Sequence, residues 1–538
     1  MLGFWILCAV AVVAVVIGIT RGEISKGKRL RERVLSQFGR RPKEDYPLES
    51  ILDYARFCPD PQVDDTTWDD LDMDRVFRRV NSCQSSVGEQ VLYRQLHRLT
   101  PPAHWEEFLE HLDSRPEERN ALWLILSRMG KRRSGYGLPS FLFDPTEFSL
   151  VLGPLYGVFA WLPLLSLPVV FFYPMVGGSV LVGTICWNVI LYYLGKRWVQ
   201  GELESLRAFS ALLGTCHSLE KTLTFSPLKK ELGESLECFK PLRGRLSRES
   251  LSTGSADLDL IQEYIHILTL RDLRLYRKTK QFLLPRTEEL HRLFQVVGLV
   301  DMAVSTLSFR ATLPQWCAPS FIQENKLEFS GLFHPLLGDP VPNDGDFPRD
   351  VLLTGSNASG KSTFLKALAV NAILGQSLST CGAEKYSFRP GPVVTSMAVR
   401  DDITAGESYF VAEVRSLKRL TDAAKTGACL LFIDEILKGT NTVERLAASQ
   451  AVLEELARRD CVCVAATHDR ELTQRLKEQY ANYHFQEEIT SQGIYFDYTL
   501  RPGPADTQNA IRLLDLTGFS RATVQRAWDL AEKGDQET

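Results

Sequence analysis

The chain runs to 538 residues, room for roughly three or four domains, and its 44% apolar and 24% charged content is that of an ordinary folded protein. The net charge of −4 excludes a uniformly basic nucleic-acid binder, although a local basic groove on an acidic protein still binds phosphates. Eleven scattered cysteines without a CxxC pair, and nine histidines without metal spacing, argue for a reducing compartment and against a disulfide framework or a zinc site.

Residues 2 to 20, LGFWILCAVAVVAVVIGIT, carry no charge. As a helix they span about 28 Å at about 1.5 Å per residue, near the hydrocarbon thickness of a bilayer. A cleaved signal peptide would carry basic residues ahead of the apolar run; here KGKRLRER, at 26 to 33, follows it. The positive-inside rule puts the N-terminus outside and the rest in the cytoplasm. The basic run then meets anionic lipid, at about 1 kcal/mol per charge near the surface.

A second apolar block has no charge between Glu147 and Lys196, which is enough for two spans. YPMVGG, residues 173 to 178, supplies the turn, and GKRRS before the block and GKRW after it put both ends in the cytoplasm. Pro154, Pro163 and Pro168 kink the first arm, which membrane helices tolerate. The alternative is a buried helical hairpin of a soluble domain, against which the length of the uncharged run argues. Further on, LRGRLSR (242 to 248) and LRDLRLYRKTK (270 to 280) are basic, with Arg271, Arg274 and Lys278 on one helical face. Solvated helix faces account for both, and no aromatic ladder suggests single-strand stacking.

TGSNASGKST, residues 354 to 363, reads as a phosphate-binding loop between an apolar strand, DVLLTG, and a helix, FLKALAVNAILG. Gly355, Ser356, Asn357, Ala358, Ser359, Gly360, Lys361, Ser362 and Thr363 are the candidate ATP-binding residues. The glycines let backbone N–H groups wrap a polyphosphate, Lys361 reaches the β- and γ-phosphates, and Ser362 holds Mg²⁺. ACLLFIDE, residues 428 to 435, is a buried strand ending in Asp434, a second Mg²⁺ ligand, and Glu435, the candidate base for the attacking water. CVCVAATH, residues 461 to 468, is another buried strand, ending in His468 where strand ends bind ligands; it is positioned to touch the γ-phosphate or its water.

Between the loop and the acidic pair lies RDDITAGESYFVAEVRSLKRL, with Asp401-Asp402, Gly406-Glu407-Ser408, Phe410 and Glu413. This pattern resembles the MutS family of DNA mismatch-recognition ATPases, a branch of the ABC-type ATPases. IDEILKGTNT, ATHDREL, FHPLL and VPND resemble the family's other ATPase segments. FRRVNSCQSSVGEQVLYRQL (77 to 96) resembles the start of its helical core, ATLPQWCAPSF (311 to 321) the strap below its lever helices, and IRLLDLTGFSRATVQRAW (511 to 528) its C-terminal dimerising helix–turn–helix. The resemblance implies a homodimer in which Ser408 crosses to the partner's γ-phosphate. Ser356 and Ser359 depart from the family's usual Pro and Gly without disturbing the Lys361 or Mg²⁺ chemistry. Only about forty residues separate the first span from the core, so the mismatch-reading and connector domains are expected to be absent. FLE at 108 to 110 imitates the mismatch-reading Phe-x-Glu by chance, and mismatch recognition is not carried over.

The expected fold is an α/β ABC-type P-loop ATPase domain plus an all-α lever and core domain, with about three transmembrane helices. The parts are a transmembrane helix at 1–22, a juxtamembrane basic segment at 23–64, helical core at 65–147, a transmembrane hairpin at 148–195, core and lever at 196–325, and the ATPase at 326–538 with its dimerisation segment at about 505–535. The expected function is a multi-pass cell-membrane ATP hydrolase facing the cytoplasm. It hydrolyses ATP with Mg²⁺ in a composite dimer site and couples this to DNA, mismatched or structured, by resemblance. The alternative is an ABC-type motor for a transporter or unknown protein partner without DNA; that reading expects an LSGGQ-type signature and more spans. A scaffold with a dead ATPase is opposed by the intact Lys361, Ser362, Asp434, Glu435 and His468.

Overall fold

The structure, a computed structural model, describes residues 25, 27–43, 48–58, 61–144, 155–242, 264–356, 359–397, 409–437, 440–490, 493–505, 511 and 518–537. The apolar run 2–20 and part of the expected dimerisation segment lie outside them. The chain divides into two compact units. One is Met1–Pro59, Asn81–Arg94 and Glu107–Ser308; the other is Asp60–Val80, Gln95–Glu106 and Phe309–Thr538. Residues 60–80 and 95–106 therefore fold with the C-terminal part of the chain, whereas the sequence reading places residues 65–147 together in a helical core.

The first unit is helical. Its principal helices are α1 (Ser86–Leu96), α2 (Tyr156–Phe172), α3 (Pro174–Thr222), α4 (Arg271–Leu283) and α5 (Thr287–Arg310). The apolar block becomes the α2–α3 hairpin. The chain turns at Tyr173, and Pro174 opens α3 at the position where its missing N–H is harmless. Gly177 and Gly178, expected in the turn, instead form the first turns of α3. A Cβ on Gly177 would lie 2.3 Å from the backbone nitrogen of Val170, so the two arms approach too closely for any side chain. α3 continues well past the apolar stretch to 49 residues, about 74 Å at about 1.5 Å each.

The prolines of α2 have a local remedy. Pro163 has no N–H to give to the carbonyl of Phe159, four residues back. Asn188 on α3 donates its side-chain amide to that carbonyl at 2.9 Å, and to Leu268 at 2.8 Å. The outer faces of the hairpin remain bare: Phe171 is 82% exposed and Met175 88%. Pro174–Arg197 is long and apolar enough to cross a membrane, and only 22% of its most apolar window is buried. α2, at 17 residues, is shorter. The run Arg271–Arg310 passes the same length and composition test, but 83% of its window is buried, which makes it a core helix.

A polar cluster sits inside this helical core. Asp301 on α5 accepts hydrogen bonds from the backbone N–H groups of Gln84 and Ser85, at 2.9 and 2.8 Å, and from the Ser85 hydroxyl at 2.6 Å, where α1 begins. Glu89 on α1 accepts from Asn81 at 2.7 Å and Tyr136 at 2.5 Å, and pairs with Lys131 at 2.8 Å. Each buried carboxylate is thus supplied with donors, as burial demands.

The second unit is α/β. A six-stranded sheet runs β10-β9-β4-β8-β7-β6, where β4 is Val351–Thr354, β6 Val393–Ser396, β7 Cys429–Asp434, β8 Cys461–Ala466, β9 Ala481–Thr490 and β10 Gly493–Pro502. All neighbours are parallel except the β9–β10 hairpin. β4 and β8 are buried along their whole length, the pattern of strands covered on both faces. A smaller sheet, β1-β5-β2-β3, comprises Ser320–Phe321, Lys385–Phe388, Leu327–Leu332 and Asn343–Phe347. The helices α6 (Lys361–Leu378), α7 (Tyr409–Thr426) and α8 (Thr442–Ala457) pack around the large sheet.

Burial raises the Asp301 carboxyl from its ordinary 3.8 to about 6, against the pull of its hydrogen bonds. The folded protein therefore holds this proton more tightly than the unfolded chain does. Its contribution to stability is complete below about pH 4 and is lost as pH rises through 6, by about 3 kcal/mol. Asp301→Asn cannot ionise, so denaturant titrations at pH 4 and pH 7 should show that part of the pH dependence removed.

Candidate functional site

The register of the large sheet aligns three strand ends. Leu353 of β4 pairs with Ala466 of β8, and Ala466 pairs with Asp434 of β7. The residues that follow these strands, Gly355, His468 and Glu435, therefore emerge along one carboxyl edge, where open α/β sheets bind ligands.

After β4 the chain makes a tight loop into α6. Gly355 has φ +142°, and a Cβ there would lie 2.6 Å from the carbonyl oxygen of Phe485 on β9. Gly360 caps α6 with φ +103°. The Lys361 side chain is buried and folds back over the loop, donating to the carbonyls of Gly355 at 2.8 Å and Ser356 at 2.7 Å. Ser362 and Thr363 are exposed on the first turn of α6, whose leading N–H groups favour an anion. The Ser359 hydroxyl is buried and has no hydrogen-bond partner among the described residues. Asn357, Ala358 and Ser408 lie outside those residues, as do Asp401-Asp402 and Gly406-Glu407. Phe410 and Glu413 fall on α7, Phe410 packed against the core and Glu413 buried.

Glu435 leaves β7 with φ +62°, a left-handed conformation that is strained for a side chain of this type and is found disproportionately at functional sites. Its N–H donates to Ala466 at 3.1 Å, and its carboxylate meets Nε2 of His468 at 2.9 Å. Asp469 anchors the neighbouring backbone through a two-pronged pair with Arg445, at 3.0 and 2.8 Å. One carboxylate oxygen of Asp434 is buried without a partner among the described residues, a donor left available for a cation.

Lys361, Ser362 and Glu435, though not Asp434 or His468, line a cavity of about 500 Å³ whose other walls include Phe333, His334, Val341 and Tyr498. None of these four was picked out as a site residue from the sequence. Tyr498 has φ +54° and lies where the β9–β10 register shifts between Phe496 and Leu500. Asn343 fixes that irregularity, donating to the Tyr498 carbonyl at 3.0 Å and accepting from Leu500 N–H at 2.6 Å. Burial, aided by the positive charge of Lys366, lowers His334 to about 4, so its ring is neutral at physiological pH. Its Nδ1 accepts from Leu336 N–H at 3.3 Å, which leaves the proton on Nε2. Ser356 donates to Glu487 at 2.7 Å, a contact made from the position where the sequence departs from the family it resembles. FHPLL gave a hint of His334; a bulge inside an otherwise strand-like run gave none of Tyr498.

The arrangement offers a cation ligand, an anion-favouring helix end, a lysine, a carboxylate held by a histidine, and an aromatic cavity. Residues 351–533 match the family model for MutS domain V. Over 266 residues the chain is 31% identical to the DNA mismatch repair protein MutS of Natronomonas pharaonis, covering 47% of this chain and 31% of that protein. The proteins of the same name from Thermotoga petrophila and Thermotoga maritima are 30% and 29% identical over 267 residues, each covering 48% of this chain and 32% of the relative. The chain thus spans about a third of the length of the curated relatives it matches.

Proposed function

Since this chain is a MutS-family protein through its domain V, we propose that residues 326–538 bind and hydrolyse ATP in a site completed by a second copy, held at a membrane by the hairpin. What supports the reading above all is the convergence of Lys361, Asp434, Glu435 and His468 along the ends of three adjacent parallel strands. The aromatic cavity takes the base. Lys361 exchanges its two loop carbonyls for phosphate oxygens. The Glu435 carboxylate, held by His468, accepts the proton of the attacking water. Ser362 and Asp434 would hold Mg²⁺, which supplies charge neutralisation for the leaving diphosphate. Ser408 completes the partner's site, by analogy with the family's trans-acting serine.

The bare faces of α2 and α3 support a membrane-embedded hairpin with the ATPase in the cytoplasm. The relatives are named for DNA mismatch repair, and we extend DNA binding, without mismatch specificity, to this chain. A motor acting on a membrane protein partner without DNA is the second reading, favoured by the exposed hairpin.

Glu435→Gln should retain ATP binding while hydrolysis falls by about 10²–10⁴-fold, the range for a lost general base; Lys361→Ala should weaken binding itself. Normal turnover by Glu435→Gln would assign the proton transfer elsewhere. For topology, reporters inserted at 175 and fused after 200 should read outside and inside; an inside reading at 175 would remove the hairpin from the bilayer. DNA affinity of the detergent-purified chain should fall steeply with salt, by about 0.9 log units per log unit of salt for each phosphate contacted. No binding at low salt would favour the protein-partner reading.

A further inference from the structure

The cavity beside the Lys361 loop changes character along its length. Ser356, Lys361, Ser362, Thr363 and Glu435 give it one polar end. Beyond them the lining is largely apolar, and its polar side chains are His334, Asp339, Asn343 and Tyr498. Asp339 and Tyr498 are exposed. Asn343 is fully engaged, donating to the carbonyls of Val341 and Tyr498 at 3.3 and 3.0 Å and accepting from Leu500. His334, only 7% exposed, is the buried polar group that remains.

Its place and its tautomer are both fixed. The carbonyl of Phe333 accepts from the Asn371 side chain at 2.9 Å, and Asn371 lies ten residues, about 15 Å of helix, beyond Lys361 on α6. Asn371 also accepts from the Gly382 N–H at 2.6 Å, and the Phe333 N–H donates to the Gly382 carbonyl at 3.0 Å. The ring is thus held well away from the phosphate loop. With Nδ1 taken by the Leu336 N–H, Nε2 carries the proton; it has no partner among the described residues and is not sealed from the cavity that the ring lines. A nearly buried donor without an acceptor is costly, and a ligand that supplies the acceptor relieves that cost. Burial keeps the ring uncharged, which suits a neutral acceptor better than a phosphate.

We propose that His334 is a specificity-determining residue of the nucleotide site, its Nε2–H donating to an unprotonated ring nitrogen of the base: N1, N3 or N7 of adenine. This rests on the ATP reading above and adds to it the group that reads the base. An apolar wall accepts any flat ring of the right size. A site built around a hydrogen bond rejects a ring that lacks the acceptor, because its own donor is then left unpaired.

The test sets three analogues, 1-deaza-, 3-deaza- and 7-deaza-ATP, against two variants of the full-length chain in the presence of Mg²⁺. Each analogue replaces one ring nitrogen by C–H. The unmodified chain should bind one of them on the order of tenfold more weakly than ATP. His334→Asn keeps an acceptor for the Leu336 N–H, as asparagine does in turns, but has no donor at the position of Nε2. It should bind ATP more weakly, again on the order of tenfold, and no longer separate ATP from that analogue. His334→Phe, which keeps the flat ring, should do the same. If the unmodified chain binds all three analogues as it binds ATP, the proposal is overturned. A deficit for the same analogue that persists in both variants assigns the contact to another group and also overturns it. Loss of all four nucleotides by both variants alike would make the ring a support of the fold, with the same consequence. No ATP binding by the unmodified chain would overturn the ATP reading itself, and this inference with it.

Discussion

The parallel hydrogen-bonded pairing of β4 with β8 and of β8 with β7 is the constraint on which the candidate site depends. A shift of one residue in either pairing would turn the flanking side chains to the opposite face of the sheet. With Leu353 opposite Ala466 and Ala466 opposite Asp434, the loop at Gly355, the carboxylate of Glu435 and the ring of His468 are delivered side by side. The apolar identity of these strands is what holds the register. Their side chains are buried on both faces, so the sheet cannot slip without exposing them.

Strained backbone is found at the same edge. Gly355 and Gly360 occupy conformations closed to other residues, and Glu435 adopts a left-handed one despite its side chain. A non-glycine residue there costs on the order of 1–2 kcal/mol, which the surrounding ladder must offset. The Glu435 N–H to Ala466 hydrogen bond and the Arg445–Asp469 pair supply fixed points on either side. The geometry between Glu435 and His468 is thus imposed by rigid strands.

The helical unit solves a different problem with the same economy of polar groups. Pro163 leaves a carbonyl without its helical donor in an apolar hairpin, and one asparagine on the facing helix restores it. Asp301 and Glu89 carry buried negative charge, each surrounded by donors from the turn and helix that it fixes. Such carboxylates specify how α1 and α5 meet, and Asp301 does so at the expense of stability at neutral pH.

Much of the α/β unit was legible along the chain. Uninterrupted apolar runs marked β4, β7 and β8, because a strand buried on both faces needs no alternation. The Gly and Lys spacing of the loop, the Asp434-Glu435 pair and His468 could be read because each lies within a few residues of its strand. The hairpin was legible from the absence of charge, although its turn was not: a proline starts a helix as readily as it ends one, and Tyr173 rather than the glycines makes the bend. What no local pattern contained were the meetings of distant residues. Asn188 with Phe159, Ser356 with Glu487, the bulge that presents Tyr498, the carboxylate of Asp70 on the edge of β6 and that of Asp64 on Arg419 arise only when the chain folds back on itself. Composition and periodicity determine which residues must leave water. Which polar groups then satisfy one another is decided by three-dimensional proximity, and that is set by the packing of the whole.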